Sequence, residues 1–218
     1  FTFTLLDQLD HADASTDTGT LTLDLTAVFD AEDFDGDPVA LAADSINVVV
    51  ENDVPTASTQ PASIRVEEDE LPTGITDGDA YTQTATFSAV AMAALVNPGA
   101  DEPVTFTLDT AVTGAVTTTG DVAVTSKGDA VLFGTDSGDV IGYADEDSSG
   151  TYNAGDRLVF RLEDNGDGSF KFTLLDQLDH GDASGEGGIL TLDLTGVFDA
   201  EDFDGDPVAL AADSINVV

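Results

Sequence analysis

Two stretches of this chain are copies of one another. The string "VFDAEDFDGDPVALAADSINVV" runs from Val28 to Val49 and returns letter for letter from Val197 to Val218. Upstream, "FTFTLLDQLDH" from Phe1 aligns with "FKFTLLDQLDH" from Phe170, at a constant offset of 169 residues. Solenoid repeats recur every ~20–50 residues, whereas ~100–200 residues is the size of an independent domain. The chain therefore reads as a tandem array of domains. Residues 1–50 are the C-terminal portion of one repeat, 51–63 an inter-domain linker, and 64–218 one nearly complete repeat.

Within the repeat, apolar residues alternate with polar ones and do not recur every three or four, which predicts half-buried strands. Phe170, Phe172 and Leu174 alternate with Lys171 and Thr173, and Leu190, Leu192 and Leu194 with Thr191 and Asp193. Similar runs occupy 84–88, 104–108, 122–125, 158–162 and 214–218, with further strands ending at Val50 and around Ile64–Val66. The strings "SKGD" at 126–129, "DSGD" at 136–139 and "DNGDG" at 164–168 mark turns between them. Strands of this length joined by Gly and Asp turns predict an all-β, antiparallel sandwich. One exception, "SAVAMAALVNPG" from Ser88, predicts a short helix. Pro55 and Pro61 punctuate the linker, because proline lacks the N–H a strand ladder needs.

Charge narrows the function. The chain has 44 acids against 5 bases, a formal charge of −39, yet 41% of its residues are hydrophobic. Acidic disordered chains are poor in apolar residues, so this one folds beneath an acidic surface. Self-repulsion of that size opposes compaction unless cations bind. Nucleic acid is excluded as a partner, since no basic patch exists to neutralise phosphates, and anionic membrane surfaces are disfavoured for the same reason. No apolar run nears the ~20 residues that span a bilayer, so no membrane insertion is expected. With no cysteine, disulfides and thiol chemistry are impossible.

The sharpest local motif is "DEDSSGTYNAGD", 145–156. As a twelve-residue calcium loop it places Asp145, Asp147 and Ser149 at positions 1, 3 and 5, Gly150 at 6, the Thr151 carbonyl at 7, Asn153 at 9 and Asp156 at 12. Asp at position 12 departs from the EF-hand Glu and resembles the dockerin type of loop, and the flanks read as strands. The competing reading is an acidic surface hairpin.

A second candidate is the repeated "DAEDFDGD". It offers Asp199, Glu201, Asp202, Asp204 and Asp206 in the complete repeat and Asp30, Glu32, Asp33, Asp35 and Asp37 in the preceding one. Carboxylates so crowded repel, and a hard cation with six to eight oxygen ligands offsets that. The third candidate is the junction. "ENDVP" at 51–55, with Asn52 and Asp53, resembles the cadherin linker that holds calcium between domains. By that resemblance the junction draws on Asp10 and Asp13, on Asn52 and Asp53 and on the "DFDGD" loop. "VEEDE" at 66–70, with Glu68 and Asp69, supplies the corresponding acids of the next junction. For each of these the alternative is a solvated acid.

Taken together, "FKFTLLDQLDH", "LTLDL", "DFDGD", "SINVVVEND" with "VPTA", and "VEEDELPTGI" resemble the extender repeats, VCBS-like or cadherin-like, of giant bacterial RTX adhesins exported by type I secretion. The resemblance covers both ends of the repeat, while 80–156 matches only as generic β. It implies an immunoglobulin-like or cadherin-like sandwich stabilised by several Ca²⁺ ions, located outside the cell at the bacterial surface. Its task there is to project a distal ligand-binding region. The neighbouring repeats of the same chain are its partners. The alternative is an adhesion module that itself binds a sugar, ice or a protein, although Trp is absent and Tyr81, Tyr143 and Tyr152 are the only tyrosines.

No enzyme is expected. His11 and His180 share one repeat position, and a hydrogen bond to a neighbouring strand is the expected role of each. Residues 1–50 duplicate 170–218 without the rest of their own repeat, so strand exchange between fragments through 1–50 is a further expectation.

Overall fold

A computed structural model describes residues 1–11, 18–181 and 188–218. Among the described residues the regular structure is nearly all β, and its strand pairs are antiparallel with one exception, in keeping with the alternation. In the strand Phe170–Leu174 the residues Phe170, Phe172 and Leu174 are buried while Lys171 and Thr173 are half-buried, because successive side chains of a strand point to opposite faces.

The larger sheet has seven strands. Gly114–Ala115, Asp129–Asp136, Asp139–Ala144, Arg157–Asp164, Phe170–Leu174 and Thr84–Phe87 lie in that order, with Thr125–Ser126 also paired to Asp129–Asp136. A four-stranded sheet orders Thr117–Thr118, Leu192–Asp193, Ile215–Val217 and Ala62–Ile64, and its last pair is parallel. Phe198–Glu201 pairs separately with Thr105–Leu108. Side chains from all three sheets share one core, including Phe87, Val131, Phe160, Phe172, Leu192, Ile215, Phe106 and Phe198. At its centre Phe160 and Phe172 pack with ring centroids 5.1 Å apart. Gly142 lies against Phe160; a Cβ there would sit 2.1 Å from the Phe160 ring, so the close packing requires glycine.

The three Gly and Asp turns join adjacent strands of the large sheet. Ser137–Gly138 and Lys127–Gly128 have positive φ at both residues, the geometry that matches strand twist in a two-residue hairpin. The helix is present as Ala89–Ala93, capped by Ser88, whose Oγ accepts the Ala91 N–H at 3.2 Å. Two strands are shorter than their alternation suggests. The strand within 190–194 is confined to Leu192–Asp193, and Val122 sits exposed in a tight turn where its carbonyl accepts the Thr118 N–H. The stretch read as linker also carries structure, since Thr56–Ala57 pairs with Val96–Asn97 of the second repeat.

In the first-repeat portion Thr20–Asp24 pairs with Asn47–Glu51. The corresponding strands of the second repeat have further partners in the four-stranded sheet. The difference is visible side chain by side chain: Val28 is 75% exposed and its repeat mate Val197 is 0% exposed.

Candidate metal centres

The centre at the repeat junction is assembled by three segments. The first is the "DFDGD" loop, which follows the strand Phe198–Glu201 and closes on itself. The Asp206 N–H donates to Asp202 Oδ1 at 2.8 Å, the Asp202 N–H donates to the Asp206 carbonyl at 3.1 Å, and Gly205 turns the chain with φ of 96°. The second is the end of the strand Asn47–Glu51, where the Asn52 N–H donates to the Gly19 carbonyl and so continues the ladder. The third is the turn after Val96–Asn97, which delivers Asp101.

Carboxylate oxygens of Asp101, Asp202 and Asp204 lie within 4.8 Å of one another. Asn52 Nδ2 donates to Asp206 Oδ2 at 2.7 Å, and the His11 N–H donates to Asp204 Oδ2 at 3.2 Å, so both repeats reach the same cluster. Asn52, Asp101, Asp202 and Asp206 are all at least 96% buried. Within the centre Asn52 Oδ1, Asp202 Oδ2, Asp204 Oδ1 and Asp206 Oδ1 are buried and accept no hydrogen bond.

The electrostatic problem is severe. Two like charges at that separation repel by about 3–4 kcal/mol even at an effective dielectric of ~20. All five bases pair elsewhere: Arg65 with Glu67, Lys127 with Asp176, Arg157 with Asp129, Glu146 and Asp176, Arg161 with Asp136 and Asp139, and Lys171 with Glu163. Burial, reinforced by Asp204 and Asp206, pushes Asp202 up to about 6 against the pull of the Asp206 N–H. Burial also raises Asp101, helped by the charges of Asp204 and Asp53. Such a cluster either takes up protons or holds a cation.

A second group lies in the hairpin between Asp139–Ala144 and Arg157–Asp164, where Asp145, Asp147 and Asp156 come within 4.8 Å. The flanks are strands, as expected, and Gly150 has φ of 72°. Asn153 Nδ2 donates to Asp147 Oδ2, Ser149 Oγ and the Thr151 carbonyl at 3.1, 3.1 and 3.2 Å. Three oxygens at positions 3, 5 and 7 thus converge on a single donor nitrogen. Hydrogen bonds from Ser149 and then Asn153 hold Asp147 below the usual carboxylate range, and Asp156 Oδ1 is buried without a partner.

Two further groups gather carboxylates, Asp33 with Asp35 and Asp37, all exposed, and Glu67 with Asp69 and Asp77. Several acidic clusters can therefore hold a metal ion.

Other candidates are placed differently. Asp199 and Glu201 are exposed, because alternation along Phe198–Glu201 sends Phe198 and Ala200 into the core and the two acids outward; Asp30 and Glu32 are exposed likewise. Asp10 is exposed. Its repeat mate Asp179 is occupied by the Thr125 hydroxyl and the Lys127 and Gly128 N–H groups, which cap a turn. Asp13 lies outside the described residues. Glu68 accepts the Leu178 N–H at 2.5 Å and stands 3.5 Å from His180 Nε2, while His11 Nε2 meets the Val50 carbonyl at 3.4 Å.

The sequence reading missed Asp101 and Asp77, and it took Glu67 only as part of the string "VEEDE". Asp101 follows the turn signal "NPGA", but nothing local indicates that this turn meets a loop so distant in the chain.

Comparison with protein-family models yields no match, and neither curated proteins nor solved structures yield one.

Proposed function

We propose that the chain is a calcium-stabilised structural extender, a piece of a tandem array in which ions bound at and near the junctions fold each immunoglobulin-like repeat and fix it to the next. The observation that carries this reading is the junction itself. Asn52, from the end of the first repeat, and Asp202, Asp204 and Asp206, from the second, share a buried carboxylate centre that no lysine or arginine neutralises. Oxygen-only donors of this kind suit a hard divalent cation, and crowding with flexible loop geometry favours Ca²⁺ over the smaller, strictly octahedral Mg²⁺. The Asp145–Asp156 loop supplies a second, independent site of the same chemistry.

An array that needs millimolar calcium to fold suits an extracellular setting at a bacterial surface, where it would project a binding region away from the cell. No helix among the described residues is long and apolar enough to cross a membrane.

Thermal unfolding in EDTA and across millimolar Ca²⁺, with Mg²⁺ as control, tests the proposal. A free ion at ~100 times its dissociation constant adds ~2.7 kcal/mol per site. For a chain of this size that raises the midpoint by about 5–10 °C per site. An equal midpoint with and without Ca²⁺ would overturn the reading.

A further inference from the structure

The junction centre has an arm that lies outside the repeated sequence seen twice in this chain. The turn 97–101 of the second repeat carries Asp101, which is 4% exposed and has a carboxylate oxygen within 4.8 Å of those of Asp202 and Asp204. The linker holds this turn at two places. Thr56–Ala57 pairs with Val96–Asn97 at its root, and Asp53 Oδ2 accepts the Ala100 N–H at 2.8 Å at its tip. Gly99 has φ of 69°, and a Cβ there would stand 2.5 Å from Asp53 Oδ2, so the approach requires glycine. On the far side the Phe203 N–H donates to the Asp101 carbonyl at 3.1 Å, which sets the Asp101 main chain against the "DFDGD" loop.

We propose that Asp101 is a cation ligand of the junction and that Asp53 is a positioning residue, acting through the turn 97–101 to carry Asp101 into the centre. The inference rests on the reading that the junction holds Ca²⁺. It is supported by buried oxygens of the surrounding residues that accept no hydrogen bond. Asn52 is 97% buried with Oδ1 unpartnered, and Asp202 and Asp206 each present a buried oxygen that accepts no hydrogen bond. Asp53 itself is exposed, and one of its two oxygens is committed to the Ala100 N–H. Groups that orient ligands from behind matter to metal affinity almost as much as the ligands themselves.

The test is calorimetric Ca²⁺ titration of the whole chain, with the site lost in Asp206→Asn defining the junction and circular dichroism in EDTA checking each fold. Asp101→Asn and Asp53→Ala each weaken that site by about 10–100-fold. Asp53→Asn, whose side-chain carbonyl still accepts the Ala100 N–H, stays within about threefold of the parent, since an exposed charge is largely screened. Gly99→Ala behaves like Asp53→Ala. If Asp53→Asn loses as much affinity as Asp53→Ala, Asp53 is a direct ligand and the positioning role is overturned. If Asp101→Asn leaves the junction site unchanged, the ligand assignment is overturned alone. A parent chain that takes up no Ca²⁺ overturns the junction reading together with this one.

Discussion

Asn52 Nδ2 donates to Asp206 Oδ2 at 2.7 Å, from the last strand of one repeat to the acidic loop of the next. Both groups are buried, so the bond is formed away from competing water. Replacing Asn52 with Ala leaves Asp206 with one fewer donor in a buried site, at a cost of about 1–3 kcal/mol. Denaturant unfolding in EDTA checks this; a change below a few tenths of a kcal/mol would show that the contact does not order the junction.

The Asp202 carboxyl makes the cation-free chain sensitive to pH. Its folded-state value of about 6 lies above the ~3.9 of an unfolded Asp, so the native state binds this proton more tightly. The stabilisation is complete below about pH 4 and is lost as pH rises through about 6. In EDTA, the stability of the parent relative to Asp202→Asn should therefore fall across that window. With Ca²⁺ present the ionised form is the one bound, so apparent Ca²⁺ affinity should rise over the same range. A flat difference between parent and variant in EDTA would refute the assignment.

The loop site can be read by luminescence. Tyr152 lies within the loop and its ring centroid is 5.5 Å from that of Tyr143, while the chain has no Trp and only one other tyrosine, Tyr81. Tb³⁺, a calcium-sized hard ion, should emit when tyrosine is excited. The double variant Asp147→Asn with Asp156→Asn should remove most of that emission and leave the junction heat of binding intact. Undiminished emission would place the sensitised ion elsewhere.

Repeat mates should respond differently to one substitution. Val197→Ala removes two buried methyl groups, worth ~0.8 kcal/mol each before any cavity contribution, so it should cost roughly 2 kcal/mol. Val28→Ala, at a side chain 75% exposed, should change stability by less than about 0.5 kcal/mol. Equal losses in urea unfolding would mean that the Val28 face is covered in solution, as strand exchange between copies would bring about.

Much of the local structure was legible because its causes are local. The alternation of Phe170, Phe172 and Leu174, the Ser88 cap and the Gly turns at 128 and 138 act over a few residues and fold as read. Asp199 and Glu201, read as companions of Asp202, face solvent because alternation along Phe198–Glu201 sends Phe198 and Ala200 into the core. Asp101 was invisible for the opposite reason. Its role comes from a linker carboxylate and a loop that reach it only after the sandwich has closed.

The repeated loop separates the two kinds of information. In both copies of "DFDGD" the fifth residue donates its N–H to the first Asp, Asp37 to Asp33 Oδ1 at 2.9 Å and Asp206 to Asp202 Oδ1 at 2.8 Å. Sequence alone determined that conformation, since the glycine and the flanking carboxylates suffice to make it. Yet Asp33, Asp35 and Asp37 are exposed, while Asp202 and Asp206 are buried beside Asn52 and Asp101. Only the tertiary structure decided which copy becomes a closed, desolvated centre. Burial depends on what the rest of the chain packs over the loop, and five identical residues cannot specify that.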